Sequence, residues 1–282
     1  MHGFSKVSSM WLQKLLVALA AAYAVTALVA YFAQTWILFP ASSSGGALAL
    51  PAAGERITCE TPDGERLHGV RISPSMRTSA QRKIVLGFGG NAWNAEHMAG
   101  YLSEIFPAHE VVTFHYRGYR PSTGSPSAAA LLNDAPVVYD CATEGADPAG
   151  VVAVGFSIGT GPAVRLARER HLDGLILVTP FDSLEELARH HYGWLPVQLL
   201  LRHQMSPAEE LRDVTTPVAL IAAAQDGIIT PERTSPLRRS AQSLVMDRTI
   251  DNAGHNDIYG NPQFETALQN AMRSIMLQPD GT

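Results

Sequence analysis

The chain has 282 residues, 46% of them hydrophobic and 17% charged, and carries a net charge of −5. That length buries a sizeable core, and one α/β-type domain is the natural count once an N-terminal segment is set aside. The negative balance and scattered basic residues argue against a nucleic-acid partner. Two cysteines, Cys59 and Cys141, supply neither a disulfide framework nor a cysteine-rich metal site. They pair in an oxidising compartment or stay as two buried free thiols, and free thiols are the preferred reading.

The first forty residues differ from the rest. Leu15 to Ala33 contains no charge, and as a helix it spans roughly 28 Å, close to the thickness of a bilayer's hydrocarbon core. Trp11 and Trp36 bracket it where interfacial indoles sit, so a transmembrane segment is expected over about 15–36. Lys6 and Lys14 precede it and no lysine or arginine follows until Arg56. This asymmetry favours a cytoplasmic N-terminus and a folded domain on the outer, periplasmic or extracellular, side of the membrane. A cleaved signal peptide ending near Ala22-Tyr23-Ala24 competes, but the apolar run continues well past that point. The expected organisation is an anchor over 1–40, a linker over 41–55 and a folded domain over 56–282.

After the linker, Arg56 to Cys59 and Arg66 to Ile72 flank the turn Pro62-Asp63-Gly64 and read as a hairpin. Strands then alternate with helices. Strands are expected over Lys83 to Phe88, Val111 to His115, Val151 to Gly155, Gly174 to Thr179, Pro217 to Ala223 and Met246 to Ile250. Helices are expected over Ala95 to Phe106, Ala128 to Thr143, Ile158 to Arg168 and, near the end, Phe264 to Met276. Such alternation gives a mostly parallel sheet covered on both faces, with ligands at the carboxyl ends of its strands.

Gly155-Phe156-Ser157-Ile158-Gly159 follows a run of small apolar residues and opens a helical pattern. Small residues two positions either side of the serine let a sharp strand-to-helix turn hold its hydroxyl clear of the sheet. On these residues the chain resembles the α/β-hydrolase superfamily. Asp226, in Gln225-Asp226-Gly227, and His255, in Gly254-His255-Asn256, both follow strands and complete the serine, acid, histidine order of that fold. His255 would take the proton of Ser157 during attack, and Asp226 would fix its tautomer. Asp182, after the strand ending at Thr179, is the rival acid.

The resemblance also implies oxyanion donors at the backbone amides of Asn91, in the turn Gly89-Gly90-Asn91-Ala92-Trp93-Asn94, and of Ile158. Superfamily members often carry histidine-glycine where this chain has Gly89-Gly90. The loop Tyr116-Arg117-Gly118-Tyr119 and the stretch Thr179-Pro180-Phe181-Asp182-Ser183 are similar to hydrolases with a single N-terminal anchor and a short lid. Here the lid would be Ser183 to Asp213, between the sixth and seventh strands. Candidate substrate contacts are Gly90, Trp93, His191, Tyr192 and Trp194. The paired histidines His190 and His191 lack metal-ligand spacing, so no metal and no cofactor is expected.

The expected activity is that of a membrane-anchored serine hydrolase cleaving an ester or thioester of a lipid-like or acylated substrate. The alternatives are a catalytically silent binding or scaffolding module and a serine peptidase of the same fold.

Overall fold

In a computed structural model, the protein is described over residues 3–50, 53–76, 82–146 and 148–278. Pro51 and Ala52 of the expected linker, and Pro279 to Thr282 of the expected domain, lie outside the described residues. A single helix, α1 (Gly3–Leu38), comes first. It is long and apolar enough to cross a membrane, with a mean hydropathy of 2.2 in its most apolar window. A short turn of 3-10 helix at Ala41–Ser44 leads from it towards the sheet.

Eight strands follow: β1 (Gly54–Glu60), β2 (Arg66–Ile72), β3 (Ile84–Phe88), β4 (Glu110–Phe114), β5 (Val151–Phe156), β6 (Gly174–Val178), β7 (Val218–Ala223) and β8 (Leu244–Ile250). Their spatial order is β1-β2-β4-β3-β5-β6-β7-β8. The β1–β2 hairpin is antiparallel and β2 runs antiparallel to β4, whereas every pairing from β4 through β8 is parallel. The β5 strand is entirely buried near the middle of the sheet, which explains why its sequence is continuously apolar rather than alternating.

Period-two alternation still divides the core. Val85, Val152, Val154 and Ile176 point to one face, where α2 (Ala95–Ile105) and α9 (Pro262–Met276) cover them. Ile84, Leu86, Ala153 and Leu175 point to the other, against α3 (Ala128–Thr143) and α4 (Thr160–Glu169). Between β6 and β7 lie three short helices, α5 (Leu184–Tyr192), α6 (Val197–Leu200) and α7 (Pro207–Glu210), which form the lid. A further helix, α8 (Pro231–Ser240), was not expected from sequence. It begins on Pro231, contains Pro236, and buries only Thr234 and Leu237, so its apolar period is too weak to read.

The expectation of free thiols is overturned. Cys59 on β1 and Cys141 on α3 form a disulfide, with Cα atoms 6.0 Å apart and a sequence separation of 82. Tertiary packing of α3 on the edge hairpin brings the two together, and no local spacing announces it. The loop is long enough for the bond to restrict the unfolded chain substantially. Replacing both cysteines by serine should lower stability by about 2–4 kcal/mol, read as a shift in the urea unfolding midpoint. Thiol titration of the unfolded, unreduced protein should find no reactive cysteine.

Candidate active site

Ser157 follows the last residue of β5 directly. Its φ of +51° lies in the left-handed region, which costs a residue with a side chain roughly 1–3 kcal/mol. The two flanking glycines are required for a separate reason. A Cβ at Gly159 would stand 2.2 Å from the Phe88 carbonyl oxygen, and one at Gly155 would stand 2.6 Å from the Gly159 carbonyl oxygen. The chain turns this tightly only because no side chain fills those positions.

The loops after β7 and β8 are joined by backbone hydrogen bonds from the Ala224 amide to the Ile250 carbonyl, 3.0 Å, and from the Gln225 amide to the Ala253 carbonyl, 2.8 Å. These bonds hold Asp226 and His255 side by side. The Asp226 carboxylate divides its two oxygens: Oδ1 accepts from the amides of Ile228 and Ile229, at 2.9 and 2.7 Å, while Oδ2 lies 2.8 Å from His255 Nδ1. An ionised carboxylate only accepts, so Nδ1 donates and Nε2 is left as the acceptor. His255 Nε2 lies 2.9 Å from Ser157 Oγ. The Asp226 side chain is only 2% exposed and that of His255 10%.

Asp182 is engaged elsewhere. Its Oδ2 is 3.0 Å from Arg233 Nη1 and its Oδ1 accepts from the Ser183 amide at the start of α5. Burial raises the pKa of its carboxyl, and Arg233 opposes that rise. Among the described residues, the only acid paired with His255 is Asp226.

The turn after β3 closes the other side of the site. A Cβ at Gly90 would stand 3.9 Å from the Ser157 Cβ, so this backbone runs right beside the hydroxyl. The Tyr116 hydroxyl donates to the Gly89 carbonyl at 2.7 Å, and the Tyr119 hydroxyl lies 3.5 Å from the Asn91 side-chain oxygen. Burial pushes both phenols well above their ordinary pKa, which keeps them neutral donors. Asn94 caps α2 by accepting from the amides of Glu96 and His97, and donates to the carbonyls of Ser44 and Gly46. The segment following α1 is thereby tied to the glycine turn.

Behind the cap, buried Glu96 accepts from Arg56 and pairs with His115 Nε2, both at 2.7 Å. Burial alone would raise the pKa of Glu96, but Arg56, a backbone donor and His115 together hold it below the usual carboxylate value. Burial likewise lowers His115 against the opposing pull of Glu96. Sequence reasoning missed Asn94, Glu96, His115, Tyr116 and Tyr119. A side-chain oxygen at 94 just before the apolar period of α2 was the available signal for the cap.

The expected substrate contacts divide. Gly90 lies beside Ser157. Trp93 is wedged edge-on among Phe156, Tyr259 and Tyr101, with ring centroids 4.9, 5.0 and 5.7 Å away. His191 Nε2 is 2.8 Å from the Ile228 carbonyl, next to the Asp226 loop. Tyr192 and Trp194 lie along α1, where they line an apolar groove. Among the described residues, no group of three or more His, Cys, Asp or Glu side chains is placed to hold a metal ion.

No family model matches the chain. It is 31% identical over 225 residues to an uncharacterized protein of Mycobacterium tuberculosis, covering 78% of this chain and 79% of that one. It is also 28% identical over 195 residues to the lysophosphatidylserine lipase ABHD12 of Danio rerio, covering 59% of this chain and 51% of the lipase. Among solved structures, it is similar to an esterase of Pyrococcus furiosus, with a TM-score of 0.62 at 16% identity over 81% of this chain and 98% of the esterase. A Xanthomonas campestris α/β serine hydrolase described as lacking a lid aligns with a TM-score of 0.57 at 15% identity, over 84% of this chain and all of that one. These relationships accompany an eight-stranded, mostly parallel sheet, helices on both faces, a short lid between β6 and β7 and a long apolar N-terminal helix. The chain belongs to one family with the uncharacterized Mycobacterium tuberculosis protein, and its fold is that of the α/β-hydrolases.

Proposed function

We propose that the chain is a serine hydrolase that cleaves a carboxylic ester or thioester of a lipid-like or acylated substrate, working from a membrane to which α1 anchors it. One observation carries this reading: His255 bridges the Ser157 hydroxyl and the Asp226 carboxylate, at 2.9 and 2.8 Å. Its substrate class draws support from the lipase named among the relatives.

In the first half of the reaction, Ser157 Oγ attacks the carbonyl carbon while His255 Nε2 takes the hydroxyl proton. Asp226 holds the imidazole in the tautomer that accepts and stabilises the imidazolium as it forms. The developing oxyanion lies at the amides of Asn91 and Ile158, which turn and helix start leave free to donate. Collapse of the intermediate breaks the bond from carbon to the leaving oxygen or sulfur, and His255 delivers its proton to the departing group. Water then repeats the sequence: His255 takes its proton, hydroxide attacks the acyl carbon, and Ser157 leaves with that proton restored. Every step uses groups of the chain and water, with no cofactor.

A single-pass orientation with a cytoplasmic N-terminus and the catalytic domain on the periplasmic or extracellular side accords with two features. Lys6 and Lys14 lie only on the N-terminal side of the apolar stretch. The Cys59–Cys141 disulfide belongs in an oxidising compartment.

An alkyl fluorophosphonate should label the purified protein on Ser157, and Ser157→Ala should abolish labelling and lower kcat by about 10⁶-fold. Labelling that persists in Ser157→Ala, or catalysis that survives it, refutes the mechanism. Asp226→Asn should lower kcat about 10⁴-fold, whereas Asp182→Asn should retain most of it, and the reverse order would reassign the acid.

A further inference from the structure

The lid is fastened to the N-terminal helix at two points. At one, Gln34 Oε1 accepts from the Arg202 amide at 2.8 Å and its Nε2 donates to the Leu200 carbonyl at 3.0 Å. Thr35 Oγ1 lies 2.8 Å from His203 Nε2 alongside. At the other, the Tyr23 hydroxyl donates to the Trp194 carbonyl at 3.1 Å, with the two rings edge to face. Between these fastenings lies a groove of about 290 Å³, at the lower end of the range for pockets that take small molecules.

The lining of this groove selects its occupant. Ala30 and Ala33, three residues apart on one face of α1, leave the space, and Val29, Ala188, Leu195 and Leu200 help to wall it. No charged side chain contributes. The polar groups of α1 in the lining are already committed, Thr26 to the Ala22 carbonyl and Gln34 to the lid. Beyond the Tyr192 hydroxyl and the Trp194 indole, a polar ligand entering here would find little to replace its hydrogen bonds to water, so the groove suits hydrocarbon.

Its position names the source. One wall is the helix that is long and apolar enough to cross a bilayer. The adjoining lid exposes Trp194 and Leu199, at 58% and 83%, a pattern suited to the membrane interface and costly in water. Inward, Leu38 and Leu201 line the groove and also pack on the buried cluster of Phe39, Leu184, Ile229 and Ile158. Ile158 follows Ser157 in the chain, so apolar side chains packed one on another connect the groove to the wall of the active site.

We propose that this groove is the acyl-chain site of the hydrolase and receives the tail of a bilayer lipid laterally, between α1 and the lid. The proposal rests on the serine-hydrolase reading above. It makes α1 part of the substrate site as well as a tether. A soluble ester that bypasses the groove and a second copy of the chain seated in it are the competing occupants.

The test uses the full chain in phosphatidylcholine vesicles and a long-chain alkyl fluorophosphonate bearing a diazirine at its far end. Ser157 Oγ displaces fluoride at phosphorus, and light then links the tail to whatever lies beside it. The expected cross-links fall in residues 26–38 and 188–201 of the same chain. Absence of any label on Ser157 overturns the underlying enzyme reading and this proposal with it. A labelled Ser157 whose tail links elsewhere, or a groove linked only to a second copy, overturns the proposal alone.

A kinetic arm reads the ratio of kcat/KM for p-nitrophenyl dodecanoate to that for the acetate. Each buried methylene is worth about fourfold, so Ala33→Trp, which fills the groove, should lower the ratio by roughly fifteenfold if only two methylenes are displaced. Leu19→Trp, on the exposed face of α1, should keep the wild-type ratio. A ratio that Ala33→Trp does not move also overturns the proposal.

Discussion

The site depends on how closely β3 and β5 approach at their carboxyl ends. At Gly155 and Gly159 the missing Cβ leaves space that the Gly159 and Phe88 carbonyls occupy. This close approach presses the glycine turn after β3 against the serine turn after β5, so that Gly90 lies beside Ser157. The left-handed backbone of Ser157 is strained by itself. Buried strands on both sides over-determine it, which is how such strain persists. The Ser157 hydroxyl and the glycine turn are therefore held side by side before any ligand arrives, and the proposed mechanism draws on preorganisation of this kind.

On the far side of the serine, the carboxylate of Asp226 does two jobs through separate oxygens. Two amide donors on Oδ1 fix the carboxylate within its loop, leaving Oδ2 to face His255. Asp182 sits in the same region but is committed to Arg233 and to the first residue of the lid segment. The two acids are thus distinguished by their partners. One faces the imidazole, and the other holds the first residue of the lid segment.

Much of this was legible in the sequence. The bounds of β2 and α3 agree with those expected from hydrophobic pattern and turn residues, and the remaining strands differ by two residues or fewer at either end. The positions of Ser157, Asp226 and His255 were readable because each stands in a turn after a strand, a local pattern. What escaped detection depends on distant chain segments meeting. The disulfide joins a strand to a helix 82 residues away, and the Glu96–His115–Arg56 cluster links three elements with no shared motif. Tyr192 and Trp194 were legible as a lid surface, but their alignment along α1 was not, because nothing in either sequence says which face meets the other. The helix over Pro231–Ser240 failed for another reason: its burial is too slight to imprint a period.

The polar residues near the end of α1 fix how that helix sits against the folded domain. A buried amide in an apolar helix costs free energy unless its partners are supplied. Gln34, only 8% exposed, finds them on the lid backbone at Leu200 and Arg202. Rotating α1 by one residue would turn Gln34 away by about a quarter of a turn and leave both lid groups and the amide without partners. The same rotation would carry Phe39 out of the cluster that contains Ile158. The rotational setting of the helix is therefore coupled to the packing behind the serine turn. Ser44 and Gly46, through Asn94, extend that coupling to the glycine turn after β3. A helix that served only as a tether would need none of these contacts, because a flexible linker would hold the domain at the membrane equally well.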